Sequence, residues 1–583
     1  MTQIIFKSRQ PDINLPKDVS IWSWLFEPPH SKLDRHDATQ GYTNVATGEH
    51  ISYTDLKQLT TYLSTALSDE CGLGQGESLI IYARNSVWYP VAMLSAVRIG
   101  AVGCGVSPEY TADELAHAIR VSRASMILTT ADNLDRAHQA ASKVGVPRSS
   151  VILLEEEEEE EDDDGDAPAA GKRTQSLQDL IRQAKARGEA RQIKPYRIPS
   201  SGEAHVVTNH DVCAYLGFSS GTTGMPKAVM ISHANVVAQC LQIQQITPAD
   251  HDRILAALPF YHITGLVHQL HLPIVLNAHA YVMPTFTLDG MLRTVSEHKI
   301  KEMLLVPPIL MRLVREPGLV SKYDLSHVRR FSSGAAPLSQ EILTLLERQF
   351  PGTGFKQGYG MTESCSCITA HPPARYAYKY AAKVGAIVAS TEVRIVDPET
   401  GRDCGVGEPG EIWARGPQVA MGYLDNARAT AETCDGDGFL HTGDIGQIDD
   451  EGLLSITDRL KEMVKVKGIG VAPAELENLL LGHPAVKDCA VCGIADDRAG
   501  ERPKAFVVLG KEQHKTRDAE GAARELIAFV KENKARHKWI VEVEVLDEIP
   551  KSPAGKILRK VLRQPSRTPG EVVVRDGPIR SKL

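Results

Sequence analysis

The sequence predicts an α/β protein. A large N-terminal domain of helix-covered mixed sheets, with a small β-barrel-like subdomain, is followed by a small α+β C-terminal domain. Three observations lead there. Strand-like and helix-like runs alternate over the first ~150 residues and again from ~205, as in a mostly parallel sheet covered by helices. From about residue 386 to 457 this gives way to short β runs punctuated by Gly, Pro and Asp. Beyond about 460 the pattern becomes a compact α+β unit. A length of 583 residues exceeds the ~100–200 of one ordinary domain, so several are expected.

Each element has a local reason. Ser78–Tyr82 is a short apolar strand, and Trp88–Arg98 reads as a helix. In Thr111-Ala-Asp-Glu114 the hydroxyl and the carboxylate can each satisfy an orphan amide at a helix start, a capping box. Met126–Thr130 reads as the next strand. Residues 155–166 then interrupt the alternation with seven Glu and four Asp and no base. Like charges at this density repel and bury no apolar area, so 155–172 is expected to be a solvated insertion loop, with an acidic docking tail the sharper alternative. Leu304–Val306 and the helix Gln340–Arg348 resume the pattern. Glu392–Val396, Glu411–Ala414 and Leu453–Ile456 argue for a small antiparallel sheet or barrel within about 386–457. A helix begins near Pro473, followed by strands at Ala490–Ile494 and Ala505–Leu509 and a helix at Ala523–Asn533. In Trp539–Val545, Val541, Val543 and Val545 alternate with Glu542 and Glu544. The expected divisions are 1–457, a connecting segment at 458–461, which the resemblance described below implies is a hinge before a mobile module, a C-terminal domain at 462–564 and a tail at 565–583.

Composition excludes several classes. Apolar residues at 42% and charged residues at 24% rule out a collagen-like or fully disordered chain. Sixty-five Lys and Arg stand against 73 Asp and Glu, a net charge of −8; eleven of those acids lie in 155–166, and the remaining 62 leave the rest at +3. So even a balance argues against a broad nucleic-acid-binding field. Ten cysteines are too sparse for a disulfide scaffold. Cys365 with Cys367, and Cys489 with Cys492, suggest metal or redox pairs, but the latter pair lies in an apolar run without a second pair at zinc spacing, and buried free thiols are expected. Ile254–Leu288 contains no Asp, Glu, Lys or Arg, yet four His and three Pro make it two or three buried elements with turns and no transmembrane helix. No secretory signal pattern opens the chain. Ser581-Lys582-Leu583, after a polar segment from Pro565 to Arg580, reads as a peroxisomal address for an import receptor.

The chemistry concentrates in Phe218-Ser-Ser-Gly-Thr-Thr-Gly-Met-Pro-Lys-Ala-Val229. Gly221 and Gly224 permit close backbone approach, Ser219, Ser220, Thr222 and Thr223 offer hydroxyls, and Lys227 supplies a point charge, so the loop can clasp phosphate oxygens. It is not a Walker loop, since Pro226 precedes Lys227 and Ala228 follows it. This segment resembles the phosphate loop of the adenylate-forming superfamily, which comprises acyl-CoA synthetases, peptide-synthetase adenylation domains and firefly-type luciferases. The resemblance continues in order through Leu258-Pro-Phe-Tyr-His262, Ser333-Gly-Ala-Ala-Pro-Leu338 and Gln357-Gly-Tyr-Gly-Met-Thr-Glu363. It runs on through Trp413-Ala-Arg-Gly-Pro417, His441-Thr-Gly-Asp444 and Thr457-Asp-Arg-Leu-Lys-Glu462, and ends with Val471-Ala-Pro-Ala-Glu-Leu-Glu477 and Pro550-Lys-Ser-Pro-Ala-Gly-Lys556. The wording is most similar to the 4-coumarate–CoA ligase-like branch.

The resemblance implies a two-step ligase that uses ATP, Mg²⁺ and coenzyme A to activate a small-molecule carboxylic acid. Residues 219–227 would hold the β- and γ-phosphates, Gln357, Gly358 and Tyr359 would bind the nucleotide, with the Tyr359 ring against the adenine, Thr362 would touch phosphate, and Glu363 would coordinate magnesium. Asp444, with Arg459 beside it, would bind the ribose; Lys556 would reach both the carboxylate and the α-phosphate; Lys461 would be the hinge about which the small domain swings. Lys465, Lys467 and Gly468 would serve coenzyme A, and His262, Thr264, Ala335, Gln357 and Gly358 would line the acid pocket. Thr264 stands where the coumarate enzymes carry a larger aromatic, Thr285 where a coenzyme-A-contacting Lys is frequent, Ala228 where Gly is usual and Gly470 where Gln is common. The expected activity is that of an ATP-dependent acid–CoA ligase acting on an apolar fatty or aryl-alkanoic acid in peroxisomes. A luciferase-like monooxygenase, acyl transfer to a carrier-protein thiol, and a nucleotide-binding pseudoenzyme are the alternatives.

Overall fold

The structure is a computed structural model that describes residues 3–31, 33, 39–156, 174–188, 191–199, 207–219, 226–334, 338, 340–467, 469–496, 499–510, 519–551, 557–564, 567–570 and 572–576. The expected acidic loop lies almost wholly outside these, as does the terminal tripeptide.

A seven-stranded sheet organises the first part. Its spatial order is Gly422–Tyr423, Lys227–Ser232, Cys213–Ser219, Val102–Val106, Ser78–Tyr82, Ala124–Thr129 and Val151–Leu153. The last five run parallel, and Cys213–Ser219 pairs antiparallel with Lys227–Ser232. Every residue of Ser78–Tyr82 is buried because helices cover both faces, which is where a continuous apolar run belongs. Tyr53–Asp69, Trp88–Arg98 and His233–Gln245 pack on one face, and Ala112–Ser122 and Leu134–Val144 on the other. The capping box forms at Ala112–Ser122: Thr111 N–H donates to Glu114 Oε2 at 2.8 Å and Glu114 N–H to Thr111 Oγ1 at 3.3 Å.

In the second sheet, Glu302–Leu305, Arg330–Ser333 and Gly354–Met361 are parallel, and Ser366–Ala370 and Ala386–Ile387 follow antiparallel. The strand expected at Leu304–Val306 starts two residues earlier, at the buried Glu302. That acid is tolerated because Arg330 Nε lies 2.8 Å away, Ser332 Oγ donates at 2.5 Å and the Lys356 ammonium is at 3.8 Å. The uncharged stretch resolves into short buried elements, as expected: the strands Arg253–Ala256 and His279–Val282, a π-helical turn at Gly265–His271 and the helix Leu272–Leu276. No helix among the described residues is long and apolar enough to cross a membrane.

Of the two forms expected for 386–457, the structure takes the sheet. Phe6–Lys7, Glu392–Val396, Gly410–Arg415, Leu440–Ile448 and Leu454–Arg459 lie antiparallel in that order. The last strand carries Asp458 and Arg459, so the segment expected to begin the hinge is itself in register with Ile445 and Asp444.

The C-terminal sheet contains Val464–Val466, Ile469–Val471, Val486–Asp496, Gly500–Leu509, Glu542–Val545 and Val572–Arg575, packed on the helices Pro473–Leu481 and Ala519–Asn533. Glu542 and Glu544 are buried, because Lys504 Nζ reaches them at 2.6 and 2.7 Å. The segment from 565, expected as a polar tail, is corrected in part: the apolar Val572-Val573-Val574 pairs antiparallel with Glu542–Val545. All ten cysteines are free thiols, with Cys489 and Cys492 buried.

Candidate functional site

Asp444 anchors the best-defined part of the site. Gly443, at φ +70°, turns the chain so that Asp444 stands on the strand Leu440–Ile448 in register with Arg459. Tyr359 Oη donates to Asp444 Oδ2 at 2.8 Å, and Arg459 Nε approaches Oδ1 at 3.2 Å. Burial first, and then the Asp444 carboxylate, push the Tyr359 phenol well above its ordinary range, so it remains a donor. Asp444 is 4% exposed. A buried carboxylate oriented from both sides in this way suits paired hydroxyl donors.

A second cluster lies at the end of the seven-stranded sheet. Ser219 and Lys227 face each other where Cys213–Ser219 and Lys227–Ser232 end and begin, flanking the phosphate-loop sequence. Ser219 Oγ is buried without a hydrogen-bond partner among the described residues. The Lys227 ammonium lies over the Tyr423 ring at 4.8 Å, and Tyr423 Oη donates to Glu363 Oε1 at 2.8 Å. Glu363 itself sits at a sharp corner: after the turn Thr362–Ser364, Cys365 and Ser366 adopt φ +46° and +100°.

Two glycines bring the acid-pocket residues against this cluster. Gly105 and Gly217 are register partners on adjacent parallel strands. A Cβ on Gly105 would lie 2.7 Å from Tyr261 Cα, and one on Gly217 would lie 2.8 Å from Thr362 Cγ2. The His262 loop and the Thr362 corner therefore rest side by side on bare backbone. His262 Nδ1 accepts from Thr264 N–H at 3.4 Å, and burial lowers its pKa, leaving a neutral imidazole at pH 7. Gly358 lies beside Cys367, whose sulfur would be 3.3 Å from a Cβ there. Gln357 N–H donates to His371 Nδ1 at 3.0 Å, its carbonyl accepts from His371 N–H at 3.0 Å, and its side-chain amide donates to Ala381 O. These bonds fix the strand that carries Gly358 and Tyr359.

Lys461 is exposed just beyond Arg459. Together with Lys227 it helps to lower the pKa of Glu432, whose main partner is Arg428. Lys465 and Lys467 are exposed on the hairpin Val464–Val466/Ile469–Val471, with Lys467 at φ +52°. Thr285 Oγ1 accepts from Arg84 Nη1 at 3.5 Å. Ser220, Gly221, Thr222, Thr223, Gly224, Ala335, Gly468, Lys556, Ser581, Lys582 and Leu583 lie outside the described residues. The loop that bears Lys556 is bounded by a bridge between Lys551 and Ile557. Sequence reasoning missed Tyr423 and the Gly105–Gly217 pair. No local pattern links residues 227, 363 and 423, which meet through the pairing of Gly422–Tyr423 with Lys227–Ser232 and the turn that carries Glu363.

Comparison with known proteins agrees with this arrangement. The AMP-binding enzyme family model matches residues 33–424, and that of the AMP-binding enzyme C-terminal domain matches 475–556. The 4-coumarate–CoA ligase 1 of Petroselinum crispum is 35% identical over 571 residues, covering 96% of both chains. The 4-coumarate–CoA ligase of Vanilla planifolia is 34% identical over 571 residues, again with 96% of both chains covered. The crystal structure of ATP-bound MatB from Rhodopseudomonas palustris aligns with a TM-score of 0.77 and 26% identity, over 94% of this chain and 98% of that one. The o-succinylbenzoate–CoA synthetase MenE of Bacillus subtilis, solved with its acyl-adenylate OSB-AMP, shares the fold at a TM-score of 0.76 and 23% identity, over 95% of this chain and 100% of that one. The chain therefore belongs to the AMP-binding enzyme family, in the acid–CoA ligase branch of the adenylate-forming superfamily.

Proposed function

We propose that the protein joins an apolar fatty or aryl-alkanoic acid to coenzyme A at the expense of ATP, in peroxisomes. The observation that carries the nucleotide half is the clasp of Asp444 between Tyr359 and Arg459. In the first step the acid's carboxylate oxygen attacks the α-phosphorus and the bond to the β-phosphate oxygen breaks, giving an acyl-adenylate and pyrophosphate. In the second, the coenzyme A sulfur attacks the acyl carbon, the thiol proton leaves and AMP departs. A carboxylate is a poor acyl donor because oxide is a poor leaving group, and AMP supplies a good one.

Catalysis of such a transfer is mostly positioning and charge stabilisation. Asp444 binds the ribose hydroxyls with Arg459 in support; the Tyr359 ring faces the adenine; Ser219, residues 220–224, Lys227 and Thr362 receive the phosphates. Glu363 is a fitting magnesium ligand, a hard oxygen donor whose carboxylate is already aimed by Tyr423. When bound, magnesium would spread the charge of the phosphates. Neutral His262 and Thr264 border the acyl carboxylate, and Thr264 leaves room for an acid bulkier than coumarate. Lys556 bridges carboxylate and α-phosphate in the first step. Rotation about Lys461 then withdraws it and brings Lys465, Lys467 and Gly468 to coenzyme A.

A panel of carboxylic acids, assayed for pyrophosphate release with and without coenzyme A, tests this. The expected result is acid-dependent release and a thioester product. Absence of release with every acid refutes the activity, and release without thioester, with oxygen uptake instead, favours the luciferase-like alternative. The peroxisomal assignment rests on the terminal Ser-Lys-Leu. Removing it should leave the protein in the cytosol, and unchanged targeting would refute that part.

A further inference from the structure

Lys227 and Glu363 come from different sheets, yet they meet at one side chain. Tyr423 lies on the short strand Gly422–Tyr423, opposite Val229 and thus diagonal to Lys227 across the antiparallel pair. Its ring takes the Lys227 ammonium at 4.8 Å, within the range of a cation–π contact. Its hydroxyl donates to Glu363 Oε1 at 2.8 Å. Tyr423 is itself firmly held: it is 8% exposed, its N–H donates to Thr430 Oγ1 at 2.9 Å, and its carbonyl accepts from Asn426 N–H at 3.3 Å. The same segment grips Glu363 by its backbone, where Ala420 N–H donates to Glu363 O at 2.9 Å. The neighbouring Gly422, at φ +120°, leaves space that a Cβ would lose to Thr430 Cγ2 at 2.4 Å.

We propose that Tyr423 is a positioning residue that sets the phosphate lysine and the metal-binding carboxylate together, its ring holding Lys227 and its hydroxyl aiming Glu363. The proposal rests on the roles given to those two residues above. It divides one side chain into separable halves. The ring acts on the nucleotide's phosphates through Lys227 without any metal, and the hydroxyl acts only where magnesium binds. A merely structural tyrosine would not separate metal-free from metal-dependent binding.

Calorimetric titration of the full chain with α,β-methylene-ATP, in EDTA and in saturating Mg²⁺, reads the two halves apart. In Tyr423→Phe the metal-free affinity should stay within about twofold of the parent, while the gain on adding Mg²⁺ should shrink about tenfold, the usual cost of removing a hydrogen bond behind a metal ligand. Tyr423→Leu should also lose about three- to thirtyfold in metal-free affinity, as a lost cation–π contact implies. Tyr423→Met takes its place if the Leu variant does not fold. A Phe variant with the full Mg²⁺ gain overturns the hydroxyl's role. A Leu or Met variant that matches Phe without metal overturns the ring's. Lys227→Ala and Glu363→Gln separate the two levels of inference: if neither weakens binding, the functional roles fail first, whatever Tyr423 does.

Discussion

Replacing Tyr359 by Phe removes one hydrogen bond from the Asp444 clasp and leaves the aromatic face intact. The lost bond is a neutral donor to a buried carboxylate at 2.8 Å, a type that contributes about 1.5–3 kcal/mol. Arg459 still holds Oδ1, so the lower end applies, and about 1.4 kcal/mol corresponds to tenfold in binding. The KM for ATP should therefore rise about tenfold in pyrophosphate-release assays, with kcat changed much less, since the bond acts on binding before and during reaction alike. The decisive arm uses 2′,3′-dideoxy-ATP. If Tyr359 works by aiming Asp444 at ribose hydroxyls, Tyr359→Phe and the parent should handle that substrate equally. An undiminished tenfold loss on the dideoxy nucleotide, or no loss on ATP, would refute the reasoning. A matching melting temperature for the variant separates the effect from misfolding.

Two further outcomes are expected. Lys556→Ala should depress acyl-adenylate formation strongly and spare thioester formation from supplied acyl-adenylate; equal loss in both half-reactions would remove the role assigned to it. His271 is fully buried between the Leu266 carbonyl, 2.8 Å from Nδ1, and the Tyr215 hydroxyl, 2.9 Å from Nε2. Burial, partly offset by the Leu266 carbonyl, lowers its pKa to about 4. The unfolded chain then binds the extra proton between about pH 6.5 and 4, so this stabilisation is whole above pH 6.5 and fades as the pH falls, by about 2 kcal/mol at pH 5. Denaturant unfolding at pH 7.5 and 5.0 should show a smaller pH dependence in His271→Gln than in the parent, and an identical dependence would exclude His271 as a source.

The parts of the fold legible in the sequence are those whose cause is local. The apolar run Ser78–Tyr82, the alternating Glu392–Val396 and the Thr111–Glu114 box each carry their reason within a few residues, and all form as read. Glu302 and Glu544 are buried because their cations, Arg330 and Lys504, arrive from other strands. Val572–Arg575 joins a sheet for the same kind of reason, since the valine run is short and only its pairing with Glu542–Val545 gives it a place.

The site divides along the same line. Motif order identified Asp444, Arg459, Tyr359, Lys227 and Glu363 as residues, but the contacts that orient them are made between different strands and turns. Asp444 is an oriented acceptor only because antiparallel register puts Arg459 opposite it and the second sheet delivers Tyr359 to its other oxygen. Lys227 and Glu363, 136 positions apart in the chain, share Tyr423 only because a two-residue strand ends the seven-stranded sheet beside them. A substitution in that short strand that removes the tyrosine ring should therefore disturb phosphate and metal binding together, even though it alters neither motif.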